Sequence, residues 1–304
     1  MLPFAYFENQ IVPIWDAKLS IASSAVLYWL SIYSVFPIFQ QKNWWSSFRM
    51  EDHFQRLLKS AKIVWIDTFE CEWDYDKFLW AVEELLRKNT PQTDVFARVT
   101  VHVDELIPGI RSKWLHTTLS IFLYEANSIL PPTGARIMTS HWKRTPDTSI
   151  PSRAKINGSY INSVLGKQEA LDHGCDDCVF LDNHGQVCEL SAANIFMIKN
   201  GTIFTPARSS DILEGINRDT ILHVCHSENI PVIETDIDST ELYIADEIFA
   251  CGTSASLVPI IEIDKRKIGS GLCGNMTLSL KQMYRWILRG ENENYAYFIT
   301  QFPL

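Results

Sequence analysis

Four short apolar runs, CVFLD, QVCEL, NIFMIKNG and TIFTP, follow one another between residues 178 and 206. They restrict the fold more than any other stretch. Each is too short for an independent helix and is rich in β-branched and aromatic side chains, which suits half-buried strands. Asp182, Asn183 and Gly185 mark a tight turn between the first two. The second half of the chain is therefore built round a sheet. A helix is expected before these strands, starting near Asn157 or Ser159, with Ile161, Val164, Leu165 and Leu171 as its apolar stripe. After them, EGINRDTILHVCHSEN reads as a helix that Asn217 can cap, with Ile221, Leu222, Val224 and Cys225 along one side. PVIETDI is a further strand, STELYIADE a short helix capped by Ser239, IFACG a strand, and residues 275–290 a last helix.

The first half reads differently. AYFEN and QIVPI look like hairpin strands. Residues 22–39 carry no charge, and their preferred reading is a buried helix ending before Pro37. Residues 50–65 and 75–88 have helical periodicity. VFARVTVHV, residues 95–103, alternates: Val95, Ala97, Val99, Val101 and Val103 share one face, and Phe96, Arg98, Thr100 and His102 the other. That second face either lines a pocket or is solvated. A segment rich in Pro, Thr and Ser places a domain boundary near residue 132. Strands and helices mix without regular βαβ spacing, so the expected class is α+β in two domains, 1–131 and 132–304.

Composition removes several function classes. The net charge is −9 with no Lys/Arg block, which argues against nucleic-acid binding. Seven cysteines, an odd number, argue against a disulfide scaffold. Cys175 and Cys178 have CxxC spacing without a second pair, and the acidic Asp176 and Asp177 between them disfavour a thiolate, so ordinary thiols are expected. No metal is implied. MLPFAYFENQ has no basic start before an apolar run, so a cytoplasmic protein outside the membrane is expected.

GxGxxG, P-loop, GxSxG and HExxH patterns are absent. Two features suit an anion instead: EGINRD, a glycine before a helix start, and CGTSAS, a glycine before hydroxyls and backbone N–H groups. Lys155 stands among small and amide residues in SRAKINGSYINSV, with Tyr160 five positions on. A lysine, an anion cradle and a carboxylate are what pyridoxal phosphate needs for its aldehyde, phosphate and ring nitrogen, and Glu189 in VCEL can supply the carboxylate. Taken singly, Lys155 and Glu189 read first as solvated surface groups.

Four segments, AKINGSYINSVL, ELSAANIFMIKNG, ILEGINRDTIL and LYIADEIFACGTSA, occur in that order. In them the chain resembles the fold-type IV pyridoxal-phosphate enzymes, the class IV aminotransferases, and within these the branched-chain amino acid aminotransferases. The resemblance implies a D-amino-acid-aminotransferase-like fold: a small N-terminal α/β domain, a larger C-terminal domain with a barrel-like sheet, and the cofactor between them. It implies that Lys155 takes the cofactor's aldehyde and later moves the substrate's proton. Tyr160 matches the partner of the cofactor's 3-oxygen, Glu189 that of its ring nitrogen, and Arg56 a phosphate-gripping arginine. Leu213 matches a residue packed on the ring. Gly215, Ile216 and Asn217, with Gly252, Thr253 and Ser254, match two phosphate contacts, and the Thr253–Ser254 turn also offers N–H groups to a substrate carboxylate.

Departures fall on the substrate side. The family pattern YGxxxFEGIR appears as YWLSIYSVFP, which puts Trp29, Ser34 and Pro37 at the glycine, glutamate and arginine places. YIRP appears as FARV, with Phe96 at the tyrosine place and Arg98 retained. Asn217 replaces a common threonine. Arg98 can meet a carboxylate bidentately, and Tyr28 and Phe36 can line an apolar side pocket. The implied activity is transfer of an amino group from a branched-chain or other apolar L-amino acid to a 2-oxo acid, in a homodimer. D-amino-acid or amine transamination, aminodeoxychorismate lyase activity and a non-catalytic role are the alternatives.

Overall fold

The computed structural model of the chain describes residues 1–106 and 109–303. Contacts divide it into two units. The first comprises residues 1–126, 154–158 and 287–304, and the second residues 127–153 and 159–286.

The first unit opens with the hairpin β1 (Phe4–Phe7) and β2 (Gln10–Pro13). Glu8 and Asn9 both have positive φ at its tip, as a tight hairpin turn requires. Then come α1 (Ser24–Leu27), β3 (Ser31–Gln40), β4 (Trp44–Phe48), α2 (Met50–Ile63), α3 (Thr68–Glu72), α4 (Tyr75–Asn89), β5 (Val95–Val103) and β6 (Thr117–Glu125). The uncharged stretch 22–39 is thus a single helical turn and a strand, not the expected buried helix. Ile32, Tyr33, Val35, Phe36 and Ile38 are β-branched or aromatic, and all are buried. Pro37 is tolerated because pairing of β3 with β4 begins only at Ile38. β3 pairs with β5 from Ser31↔His102 to Ile38↔Val95. One core takes Phe54 and Leu57 of α2, Phe78, Val82 and Leu85 of α4, and the valine face of β5. The opposite face of β5 is not solvated either, since Phe96 and Thr100 are buried.

The second unit contains β7 (Ala135–Lys143), α5 (Tyr160–Asp172), β8 (Asp177–Leu181), β9 (Val187–Leu190), β10 (Asn194–Lys199), β11 (Thr202–Pro206), α6 (Ile216–Ser227), β12 (Val232–Thr235), β13 (Glu247–Gly252), β14 (Ser256–Ile263), β15 (Arg266–Lys267) and much of α7 (Asn275–Arg289). The expected strand series is present. Its nine-stranded sheet runs β12-β11-β10-β13-β14-β7-β8-β9, with β15 on β14. β9, last in that order, turns directly into β10, and Leu190 N–H donates to Ala193 O at 2.8 Å. Inside this sheet Val179, Leu190, Ile195, Ile248, Val258 and Ile260 form the core.

The stripe expected to bury α5 does not. Ile161, Val164, Leu165 and Leu171 are exposed, and the helix instead buries Ser163, Gly166 and Ala170. Small residues let its backbone approach β8 closely, and a Cβ at Gly166 would run into Phe180. Two caps also fall one or two residues earlier than expected. Gly215, not Asn217, caps α6. Residues Ser239–Ile244 form a 3₁₀ turn capped by Asp238, whose N–H donates to Glu241 Oε1 at 3.0 Å.

β16 (Ile299–Pro303) returns to the first unit and pairs with β4, completing a seven-stranded sheet in the order β16-β4-β3-β5-β6-β1-β2. No helix among the described residues is long and apolar enough to cross a membrane.

Candidate active site

In the first unit, residues 155–157 lie extended beside the start of β3. Tyr33 N–H donates to Lys155 O at 2.9 Å, Ile32 bridges Ile156, and Asn157 N–H donates to Ser31 O at 3.0 Å. Lys155 N–H also donates to Ser60 Oγ of α2 at 3.1 Å. The alternation explains the placement: Ala154 is buried and Ile156 packs on the core, which leaves Lys155 on the other side of the segment. Its Nζ lies 4.8 Å from the centre of the Tyr33 ring, and the Arg98 guanidinium lies 3.9 Å from that same ring. Arg98 Nη2 donates to Asn157 Oδ1 at 2.6 Å, and Asn157 Nδ2 donates to Ser31 Oγ at 2.8 Å. No carboxylate among the described residues pairs with Arg98.

Arg56 lies one turn beyond His53 on α2. Its Nη2 donates to Ser34 Oγ at 3.0 Å and lies 3.4 Å from His53 Nδ1, and Ser34 Oγ is 2.8 Å from that nitrogen. Ser34, one of the departures from the family pattern, is therefore an anchor for the arginine. His53 is fully buried, and burial pushes its pKa well below the usual imidazole value, helped by the cations Arg56, Lys155 and Arg49. The lowered pKa favours the neutral ring; Arg56 can only donate, so Nδ1 accepts, and Nε2 is buried with no hydrogen-bond partner among the described residues. Arg49 is paired with Asp52 at 2.7 Å. Arg56 and Lys155 also bring positive charge close to His53.

In the second unit Glu189 of β9 is 5% exposed. Its Oε1 meets Arg144 Nη2 at 2.6 Å, Asn194 Nδ2 donates to Oε2 at 2.9 Å, and Leu213 N–H lies 3.2 Å from both oxygens. Arg144, Asn194 and the Leu213 N–H thus all direct donors at this one carboxyl group. Asn194 also donates to Leu213 O at 3.0 Å, which ties Glu189 to the loop leading into α6. At the start of α6, Gly215 supplies no side-chain cap to the first-turn N–H groups, and a Cβ there would collide with Asn194 Oδ1. Ile216 and Asn217, the first two helical residues, are buried. Gly252 ends β13, where a Cβ would lie 3.1 Å from Ala192 O. Thr253 and Ser254 form the turn into β14, and Ser254 O accepts from Ile129 N–H at 3.1 Å. Tyr160 is the first residue of α5.

The expected residues thus fall into two sets. Lys155, Arg56 and Arg98 gather in the first unit; Glu189, Leu213 and Gly215 are knit together in the second. Of the side-pocket candidates, Tyr28 is exposed at the end of α1, Phe96 lies tilted against Tyr124 with centroids 5.7 Å apart, and Phe36 is fully buried in the core, edge-on to Phe78. Sequence reasoning missed Arg144, Asn194, His53, Tyr33 and Asn157. Asn157 and Arg144 meet partners remote in the chain, Arg98 and Ser31 for the first and Glu189 for the second, and no local periodicity singles out any of the five. Cys175 and Cys178 are free, and burial raises both thiol pKa values.

The fold and these two sets define a class. The profile described as amino-transferase class IV matches residues 33–263. The chain belongs to the class IV aminotransferases and is an enzyme of that kind. It is 36% identical over 306 residues to the probable branched-chain-amino-acid aminotransferase of Aquifex aeolicus (strain VF5), covering 98% of this chain and 96% of that one. Its structure is similar to that of the branched-chain aminotransferase from Thermoproteus uzoniensis with norvaline, with TM-score 0.93, 29% identity and 99% of each chain covered. It is also similar to the T.th. branched-chain amino acid aminotransferase complexed with N-(5'-phosphopyridoxyl)-L-glutamate, with TM-score 0.90, 28% identity and 98% of each chain covered. That T.th. protein has also been solved with 4-methylvaleric acid.

Proposed function

We infer that this chain transfers an amino group from a branched-chain or other apolar L-amino acid to a 2-oxo acid, using pyridoxal 5′-phosphate. The near-full-length likeness to branched-chain aminotransferases carries this reading. The residues present suit the cofactor. α6 begins without a side-chain cap, Arg56 is held by Ser34 and His53, and Glu189 is a buried acidic side chain paired with Arg144. Bound to a protein, pyridoxal phosphate supplies an electron sink that makes the α-proton of an amino acid removable.

In this reading each residue has a role of its own toward the cofactor. Lys155 would hold the cofactor's aldehyde carbon, and its Nζ would serve to move the substrate's α-proton. Glu189 keeps a proton on the ring nitrogen. Arg56 and the N–H groups of Ile216 and Asn217 bind phosphate, with Gly252, Thr253 and Ser254 at a second contact. Tyr160 bonds the 3-oxygen, and Leu213 packs on the ring. The N–H groups of Thr253 and Ser254 hold the substrate's own carboxylate. Tyr28 and Phe96 form the apolar side, while Phe36 belongs to the core against Phe78. Arg98 meets a second carboxylate when the substrate has one; one relative has been solved with norvaline and another with N-(5'-phosphopyridoxyl)-L-glutamate. The exposed stripe Ile161, Val164, Leu165 and Leu171 supports a homodimer that covers it. The free cysteines suit the reducing cytoplasm.

The test is a half-reaction on cofactor-loaded protein. L-amino acids, D-amino acids and amines are added singly, without acceptor. Pyridoxamine 5′-phosphate should form with leucine, isoleucine or valine. Formation only with D-amino acids or amines would overturn the donor assignment, and turnover of aminodeoxychorismate without any keto acid would replace transamination with lyase chemistry.

A further inference from the structure

Arg98 is an arginine held in place by a neutral side chain. Its guanidinium carbon lies over the Tyr33 ring, 3.9 Å from the centroid, and one nitrogen is fixed by Asn157 Oδ1 at 2.6 Å. The Asn157 amide is itself fixed by Ser31, which receives its Nδ2 at 2.8 Å and, through its carbonyl, its backbone N–H at 3.0 Å. The orientation of that amide is thereby unambiguous: the oxygen faces Arg98 and the nitrogen faces Ser31. Asn157 is two residues from Lys155, in the segment that pairs with β3, and Lys155 Nζ lies over the same Tyr33 ring. One amide therefore touches β3, β5 and the lysine segment.

We propose that Asn157 is a positioning residue that aims Arg98 at the second carboxylate of a dicarboxylic substrate while tying Lys155 to β3. The choice of an amide has a chemical reason. An aspartate here would orient the guanidinium equally well, but it would pair with it and cancel the charge that a ligand carboxylate seeks. The amide fixes direction and leaves the charge uncommitted. Because the same side chain anchors the lysine segment, recognition of the substrate's far end and placement of Lys155 depend on one residue.

The proposal rests on the transaminase reading for its substrates, but its test does not depend on turnover. Glutarate, an inert dicarboxylate, and 4-methylvalerate, an inert apolar monocarboxylate, are titrated calorimetrically into cofactor-loaded wild type and Asn157→Asp. The aspartate variant should bind glutarate roughly tenfold or more weakly, with 4-methylvalerate affinity unchanged within about twofold. Equal weakening of both acids, or no weakening of glutarate, overturns the aiming role. Asn157→Ala tests the tie: it should lower kcat about tenfold on dicarboxylic and apolar substrates alike. Unchanged kcat overturns the link to Lys155. If wild type binds both acids yet forms no keto acid from any donor, the functional reading fails while the binding comparison still decides the role of Asn157. Wild type that binds neither acid overturns both.

Discussion

Glu189 and Arg144 show why a buried charge needs its whole surroundings. The Arg144 side chain is 13% exposed and that of Glu189 is 6% exposed, so neither ion is solvated well enough to stand alone. Glu189→Gln keeps the shape but removes the charge. It should slow kcat by about two orders of magnitude or more and destabilise the fold by about 3 kcal/mol, because Arg144 is left buried without its counterion. Single-turnover kinetics and a urea melt read the two effects separately. Lys155→Ala should abolish turnover, and borohydride treatment followed by mass spectrometry should find no pyridoxyl group on the chain, in contrast to wild type. Lys155 and Glu189 were legible in the sequence because each sits in a compact ordered motif. Arg144, His53 and Asn157 were not, since each acts through a partner brought close only by folding: Glu189 for the first, Ser34 for the second, Arg98 for the third.

Among the elements, the long amphipathic helices α2 and α4, the alternating β5 and the strand series β8–β11 were readable, because their periodicities differ plainly. The stretch 22–39 was not. An uninterrupted apolar run has no period, so β-branched content had to outweigh the absence of charge, and Pro37 suggested a helix stop when it marks only where the pairing with β4 begins. α5 misled for a different reason. Its largest apolar residues point outward, and its buried face is made of residues chosen for smallness. That face gives a sharp test. Gly166→Ala adds one methyl group against Phe180 and Cys178, and it should destabilise the protein by about 1–3 kcal/mol. Gly215→Ala should push on Asn194 and weaken cofactor retention, measured as the dissociation constant of pyridoxal phosphate.

At the scale of the whole molecule, stability should fall on the acid side of neutrality. Burial lowers the pKa of His102 to about 4 from its ordinary 6.5, with Arg98 adding to the effect against Asp104; that of His53 is lowered as well. Between those pH values the unfolded chain binds a proton at His102 that the folded chain does not, so stability rises with pH there. The contribution is fully present above pH 6.5 and is lost progressively as pH falls towards 4. Melting temperatures of wild type should therefore drop between pH 6.5 and 5, and His102→Gln should flatten part of that drop. The proposed homodimer is tested by sedimentation: Val164→Asp, which places a charge in the exposed stripe of α5, should shift the protein towards monomer.

The first unit is assembled from three separate stretches of chain: its opening residues, the five around Lys155, and the last eighteen, which include β16. A ribosome delivers these in order. When the opening stretch has emerged, β4 still lacks the strand that will flank it, and the place beside β3 that the lysine segment will take is still open. The second unit must be threaded out before the first can close. Synthesis therefore leaves two strand edges waiting, and an arrest before β16 would release a chain with an open sheet, ready to pair with a neighbour.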